Sequence, residues 1–192
     1  MSNLEIIKKL REETSVGILD AKKALEATNN NFEEAKKWIR DRGLSKSAEK
    51  SSRVASEGVI GSYIHQNKKI GVLVKVSCET DFVARTDEFN EFAHNLAMQI
   101  AGMNPIYVSI DDIPEDELSR LKAEFAKEAE GKPDLIKEKI IEGKINKYAE
   151  EFCLLEQAYI KDDKLKIKNL LGEMVSKFGE NIKVTEFVLL KI

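Results

Sequence analysis

The sequence predicts an α+β chain, an N-terminal three-helix bundle followed by a three-stranded antiparallel sheet packed with helices. Residues 3–42 place apolar side chains at helical spacing in three short runs separated by polar breaks. Residues 58–65 and 70–78 are apolar runs on either side of Gln66-Asn67-Lys68-Lys69, the pattern of an antiparallel hairpin. A further apolar run at residues 182–192 supplies a third strand after several helical segments. The expected division is a helical domain at 1–45, a linker at 46–56 and an α+β core at 57–192.

In the bundle, Leu4, Ile7 and Leu10 mark the first helix. Ile18 or Leu19 with Ala21 and Leu25 mark the second, and Phe32, Ala35, Trp38 and Ile39 the third. Thr14-Ser15-Val16-Gly17 breaks the chain between the first pair. Thr28-Asn29-Asn30-Asn31 breaks it again, with Asn31 as N-cap and Glu33 and Glu34 behind it. Gly43 is expected to end the third helix, and Trp38 to supply much of so small a core. Ile18 and Leu19 are adjacent, so one of them should face outward. Residues 45–57 are rich in Ser, Ala and Lys, which suggests a hinge or weakly packed helix whose ends move relative to each other.

Within the core, Ile70, Val72, Val74, Val76 and Cys78 share one face of a strand, and Gly71, Leu73, Lys75 and Ser77 the other. The closing strand carries apolar weight on both faces: Phe187 and Leu189 on one, Val188 and Leu190 on the other. Helices can cover one face. Leu73, with Ile60 or Phe187, leaves the other apolar, so a second sheet or second subunit is expected on it. The intervening helices are read at 87–103, stopped by Asn104-Pro105, and then from Asp111 to Gly131-Lys132-Pro133 with Leu118, Leu121 and Phe125 inside. The next has Ile136, Ile140, Ile145, Tyr148 and Phe152 on one face, and should pair with its predecessor as an antiparallel hairpin. Asp162-Asp163 is expected to open the last, with Leu165, Leu170, Met174 and Phe178 inside and Gly179 as its stop.

Composition narrows the function. Hydrophobic residues at 42% and charged ones at 34% suit a globular chain with well solvated helices. No apolar run approaches membrane-spanning length, and the first residues resemble no export signal, so a cytoplasmic protein that meets no membrane is expected. The net charge of −3, with both signs interleaved, argues against nucleic acid as a direct partner. Cys78 and Cys153 lie too far apart for a metal-binding pair. His65 and His94 read as surface or edge residues. Without His-Glu-x-x-His, a phosphate loop or Gly-x-Gly-x-x-Gly, neither an enzyme nor a cofactor is indicated.

One stretch stands apart. Residues 78–87 read Cys-Glu-Thr-Asp-Phe-Val-Ala-Arg-Thr-Asp, where the strand period stops and a helical one begins. Phe82 either tucks beneath the following helix as core or stands out as an anchor for a partner's pocket. Glu79-Thr80-Asp81-Phe82-Val83-Ala84-Arg85 resembles the signature of bacterial translation elongation factor Ts. The likeness extends to the N-terminal bundle, similar to the ubiquitin-associated type that opens that family, and to Leu154-Leu155-Glu156-Gln157. It implies a guanine-nucleotide exchange factor for elongation factor Tu, with Asp81, Phe82, Thr80 and Val83 as partner-binding residues and Asp81 and Phe82 intruding beside the partner's magnesium and phosphate site.

The family's first break often reads Thr-Gly-Ala-Gly-Met-Met-Asp; here it is Thr14-Ser15-Val16-Gly17-Ile18-Leu19-Asp20. The resemblance assigns partner contacts to Arg11, Ile18 and Leu19. Where the family continues Pro-Phe-Val after Leu-Leu-Glu-Gln, this chain has Ala158-Tyr159-Ile160; Ile160 then approaches the partner, or it and Tyr159 simply pack under the last helix. Longer members carry two copies of the core. This chain has room for one, so the resemblance implies a short form that pairs as a homodimer. A scaffold that binds a ubiquitin-like partner through its bundle alone is the competing reading.

Overall fold

The computed structural model describes residues 3–14 and 16–192; Ser15, in the first expected break, lies outside the described residues. Three helices open the chain: α1 (Asn3–Thr14), α2 (Ile18–Ala27) and α3 (Phe32–Lys50). Leu10, Val16, Ala21, Ala24, Leu25, Ala35 and Ile39 close their core. Leu4 is exposed rather than inside, and so are both Ile18 and Leu19. Trp38 is half-buried at the edge of the core, with the Arg42 guanidinium 5.2 Å over its ring, so small alanines rather than the indole set how closely the helices approach. Asn31 caps α3 as expected, its side chain accepting from the Glu34 amide at 3.3 Å.

Gly43 does not end α3. The helix runs on to Lys50 and crosses α8 (Ile167–Phe178) where Gly43 and Gly172 meet. A Cβ on Gly43 would sit 3.0 Å from the Gly172 carbonyl oxygen, and one on Gly172 would sit 2.9 Å from the Gly43 carbonyl carbon. Glycine inside a helix costs about 1 kcal/mol relative to alanine, and the close backbone approach it permits offsets that cost. The first turn of the expected linker is therefore helix. Lys46 pairs with Asp20 at 2.9 Å and Lys50 donates to the Gly179 carbonyl, which ties this turn to both α2 and the core.

The core sheet has order β1-β2-β5, from β1 (Glu57–Ile64), β2 (Ile70–Cys78) and β5 (Lys183–Lys191), all antiparallel. Its inner face packs on α5 (Asp87–Met103) and α8 through Val72, Val74, Val76, Phe89, Leu96, Ile167 and Val175. The β2–β5 register slips between Lys75 and Val76 and leaves Thr185 without a partner, so Val184, Phe187 and Leu189 all reach the inner face. Phe187 thus belongs to the covered side. Ile60, Ile64, Leu73, Val188 and Leu190 are apolar residues of the strands left exposed on the other.

Asn104, in the left-handed conformation, ends α5 as expected. Helices α6 (Glu115–Glu128) and α7 (Asp134–Phe152) form the hairpin, turning at Gly131 and closed by a Lys144–Glu128 ion pair. Ile136 is exposed near its tip. Asp162-Asp163 does not start a helix: strands β3 (Ala158–Tyr159) and β4 (Asp162–Lys166) pair there instead. Asp162 Oδ1 accepts from the Lys164 amide at 3.1 Å, a local bond that competes with helical pairing. The buried stripe of α8 is consequently Ile167, Leu171 and Val175, with Leu170, Met174 and Phe178 half-buried beside it.

Two outcomes are expected. A Cβ on Gly61 would lie 2.5 Å from the Ala93 carbonyl oxygen of α5. Gly61→Ala should therefore lower unfolding free energy by about 1–3 kcal/mol in a urea titration. Burial raises the Glu173 carboxyl above the ordinary carboxylate range, Asp162 adds to the rise, and Arg40 and Lys36 of α3 pull it down. The fold favours its neutral form, so this stabilisation is complete below the unfolded-state range and is lost as pH rises through the raised folded value. Glu173→Gln should be more stable than the parent at neutral pH and equal to it in acid.

Candidate partner-binding surface

Past Cys78 the β1–β2 ladder ends, and the chain makes a one-turn helix, α4 (Asp81–Ala84), before α5. Two threonines frame it: Thr80 is the N-cap of α4, and Thr86 caps α5 by accepting from the Phe89 amide at 3.2 Å. Asn90 donates to the carbonyls of Ala84 and Thr86 at 3.0 and 2.8 Å and closes the turn between the two helices. Val83 and Ala84 are buried in the core under the sheet. A single helical turn that buries those two must turn Phe82 away, and Phe82 is 81% exposed. Phe82 is therefore not a core residue. Asp81 is half-exposed and pairs with Arg85 at 2.9 Å.

The base of the loop is held from a distant part of the chain. Glu180 Oε2 accepts the amides of Glu79 and Thr80, each at 3.0 Å, and its Oε1 accepts the Thr80 hydroxyl at 2.6 Å. Glu79 Oε1 in turn accepts the Asn181 amide at 2.6 Å. Cys78 donates to the Thr80 carbonyl at 3.1 Å, and burial, more than the nearby Glu180 charge, pushes its thiol up to about 11. Burial pushes the Cys153 thiol up to about 11 as well. Both cysteines are free and buried, which suits packing rather than nucleophilic chemistry. His65 and His94 are exposed; His65 bonds to Tyr63 two residues away, and His94 of α5 to the Ser62 carbonyl of β1.

A second outward point is the pair Ile18 and Leu19, 53% and 69% exposed at the start of α2. Arg11 is exposed on α1 and lines an open depression with Lys8, Glu12 and Lys177. Lys177 also pairs with Glu88 of α5 at 2.8 Å, so the flank bearing Arg11 runs on to the helix that follows Phe82. Ile160 is the third point, 42% exposed in the β3–β4 turn while Tyr159 beside it is buried. Its amide donates to Gln99 Oε1 at 2.9 Å. Gln99 also donates to Gln157 Oε1 at 3.2 Å, and both glutamines are fully buried. Ile160 shares an open depression with Glu33, Lys36 and Arg40 of α3.

Neither Glu180 nor Gln99 stands out in the sequence. Gln99 leaves one trace, a polar side chain on the apolar face of α5 between Leu96 and Ile100; Glu180 leaves none, because its partners are about a hundred residues away. Among the described residues no group of three His, Cys, Asp or Glu side chains could hold a metal ion, and no helix is long and apolar enough to cross a membrane.

Comparison with known proteins agrees with these features. The elongation factor Ts of Solidesulfovibrio magneticus is 50% identical over 183 residues, covering 94% of this chain and 92% of that one. Those of Nitratidesulfovibrio vulgaris and Thermotoga maritima are 48% and 47% identical over 190 residues, covering 98% and 99% of this chain and 95% and 96% of theirs. These relatives are thus of the single-core length. With the family model for Elongation factor TS matching residues 13–192, the chain belongs to the bacterial elongation factor Ts family, in its short form.

Proposed function

We propose that this chain promotes GDP release from elongation factor Tu in the cytoplasm, with Phe82 as the wedge and Asp81 beside it acting on the partner's magnesium and phosphate site. Membership of the family supports the exchange role, which involves no covalent chemistry. One observation carries the finer reading: a large aromatic stands 81% exposed on a short helix that is otherwise anchored in the core. An exposed aromatic on a rigid base loses little conformational freedom on docking and fills a pocket with a large apolar area. Exchange then follows from linkage. A protein that binds the nucleotide-free partner more tightly weakens GDP binding by the same factor.

In this reading Arg11, Ile18 and Leu19 of the 1–45 domain and Ile160 of the 57–192 core grip the partner away from its nucleotide, while residues 46–56 join the two. Thr80 and Val83 hold the wedge rather than touch the nucleotide site. Two chains pair through the outer sheet face. Ile60, Leu73, Val188 and Leu190 leave that face apolar, with Lys75 opposite Glu186 as its charged pair. Two such faces packed together would bury a sheet surface that water otherwise covers.

Phe82→Ala should leave the fold intact and slow release of a fluorescent GDP analogue from elongation factor Tu on the order of thirtyfold, the size of an interface hot spot. A folded variant with full exchange activity sinks the wedge and leaves a scaffold. Val188→Asp, at an exposed site, should convert a dimer to a monomer in sedimentation without unfolding it; a parent chain that is already monomeric would refute the pairing.

A further inference from the structure

We propose that Glu180 is the positioning residue of the exchange loop: its carboxylate fixes the base of α4 and thereby the direction in which Phe82 points. The inference rests on the exchange reading above and adds to it a residue outside the signature.

The loop needs such a support. Glu79 and Thr80 lie past the last rung of the β1–β2 ladder, which pairs Glu57 with Cys78, so their amides have no strand partner. Glu180 satisfies both with one oxygen at 3.0 Å each. Its other oxygen takes the Thr80 hydroxyl at 2.6 Å, and that hydroxyl in turn accepts the Val83 amide at 3.5 Å. The carboxylate therefore reaches the first turn of α4 through the capping residue. The hold is reciprocal, because Glu79 accepts the Asn181 amide at 2.6 Å and the Asn181 side chain donates to the Arg53 carbonyl at 2.7 Å. Two connections about a hundred residues apart thus cap each other, and Gly179, left-handed at φ 72°, ends α8 and delivers Glu180 to this point.

The other side-chain bonds to this turn are at its far end, where Asn90 and Thr86 donate to the Ala84 and Val83 carbonyls. A helix of four residues is not stable by itself, since forming a single turn fixes several residues for few hydrogen bonds. Burial of Val83 and Ala84 fixes the depth of the turn, but Phe82 is 81% exposed and makes no packing that would fix its direction. The Asp81–Arg85 pair joins an exposed side chain to a half-exposed one, where ion pairs contribute little. Charge-assisted hydrogen bonds to a carboxylate are strong and directional, and the entropy cost of docking an anchor falls when the anchor is pre-organised.

The test is GDP-analogue release from elongation factor Tu at saturating concentrations of the parent, Glu180→Ala, Glu180→Gln, Phe82→Ala and the Glu180→Ala/Phe82→Ala double variant. Glu180→Ala should lower the saturating rate about tenfold or more while the concentration for half-saturation moves far less. Glu180→Gln should recover part of the rate, since its carbonyl oxygen can still accept the two amides. The double variant should be no slower than Phe82→Ala alone, because the carboxylate acts through that ring. Full rate in Glu180→Ala overturns the proposal, and so does a double variant slowed by the product of the single effects, which would mark general damage. If the parent itself gives no acceleration, the exchange reading fails instead. Amide hydrogen exchange in the free chain then decides by itself: Glu79 and Thr80 should lose protection in Glu180→Ala while Val72 to Val76 keep theirs, and unchanged protection at Glu79 and Thr80 overturns it.

Discussion

The exposure of Phe82 follows from the burial of Val83 and Ala84 in a helix of a single turn. Side chains in such a turn diverge by about 100° per residue, so committing two neighbours to the core commits Phe82 to solvent. The sheet supplies the floor for that burial. β2 lies at its centre, with Val72, Val74, Val76 and Cys78 inward, and α5 starts from the end of this strand with its own threonine cap. A hydrophobic arrangement on one side of the backbone thereby leaves a large aromatic exposed on the other.

Polar groups do the finer work. Burial leaves few amides unsatisfied, and where the regular ladder stops, side chains from far along the chain take over: Glu180 at the base of α4, Gln99 and Gln157 beneath the Ile160 turn. Among the described residues no buried side-chain nitrogen or oxygen lacks a partner. In both places a connection that would otherwise be loose is bonded to the rigid core, and an apolar side chain is presented from it.

Much of this was legible in the sequence, and what was not has a common cause. Period-two alternation located the strands, helical spacing and Asn31 located α3, and Asn104 located the end of α5, because each is a signal written within a few neighbouring residues. Gly43 misled because the reason for a mid-helix glycine is Gly172, far along the chain. Asp162-Asp163 misled because two acidic residues open a helix or a turn equally well, and the strand partner Ala158–Tyr159 decides. For the site, the motif marked Phe82 but residue types alone could not say whether it was buried or exposed. Its carboxylate support was invisible for the same reason as the glycine pair.

The continuity of α3 through Lys50 changes what the segment between the two halves can tolerate. A flexible tether absorbs insertions, since its ends can be reached by many paths. A helix does not: each added residue advances the bundle by about 1.5 Å and turns it by about 100° about the helix axis. With Gly43 locked against Gly172, one residue added after the crossing would carry Lys50 away from Gly179, and one added before it would swing Ile18 and Leu19 around the core. The stretch between bundle and crossing therefore works as a phase-sensitive gauge, in which a change in the number of residues disturbs more than a change of a solvent-facing side chain.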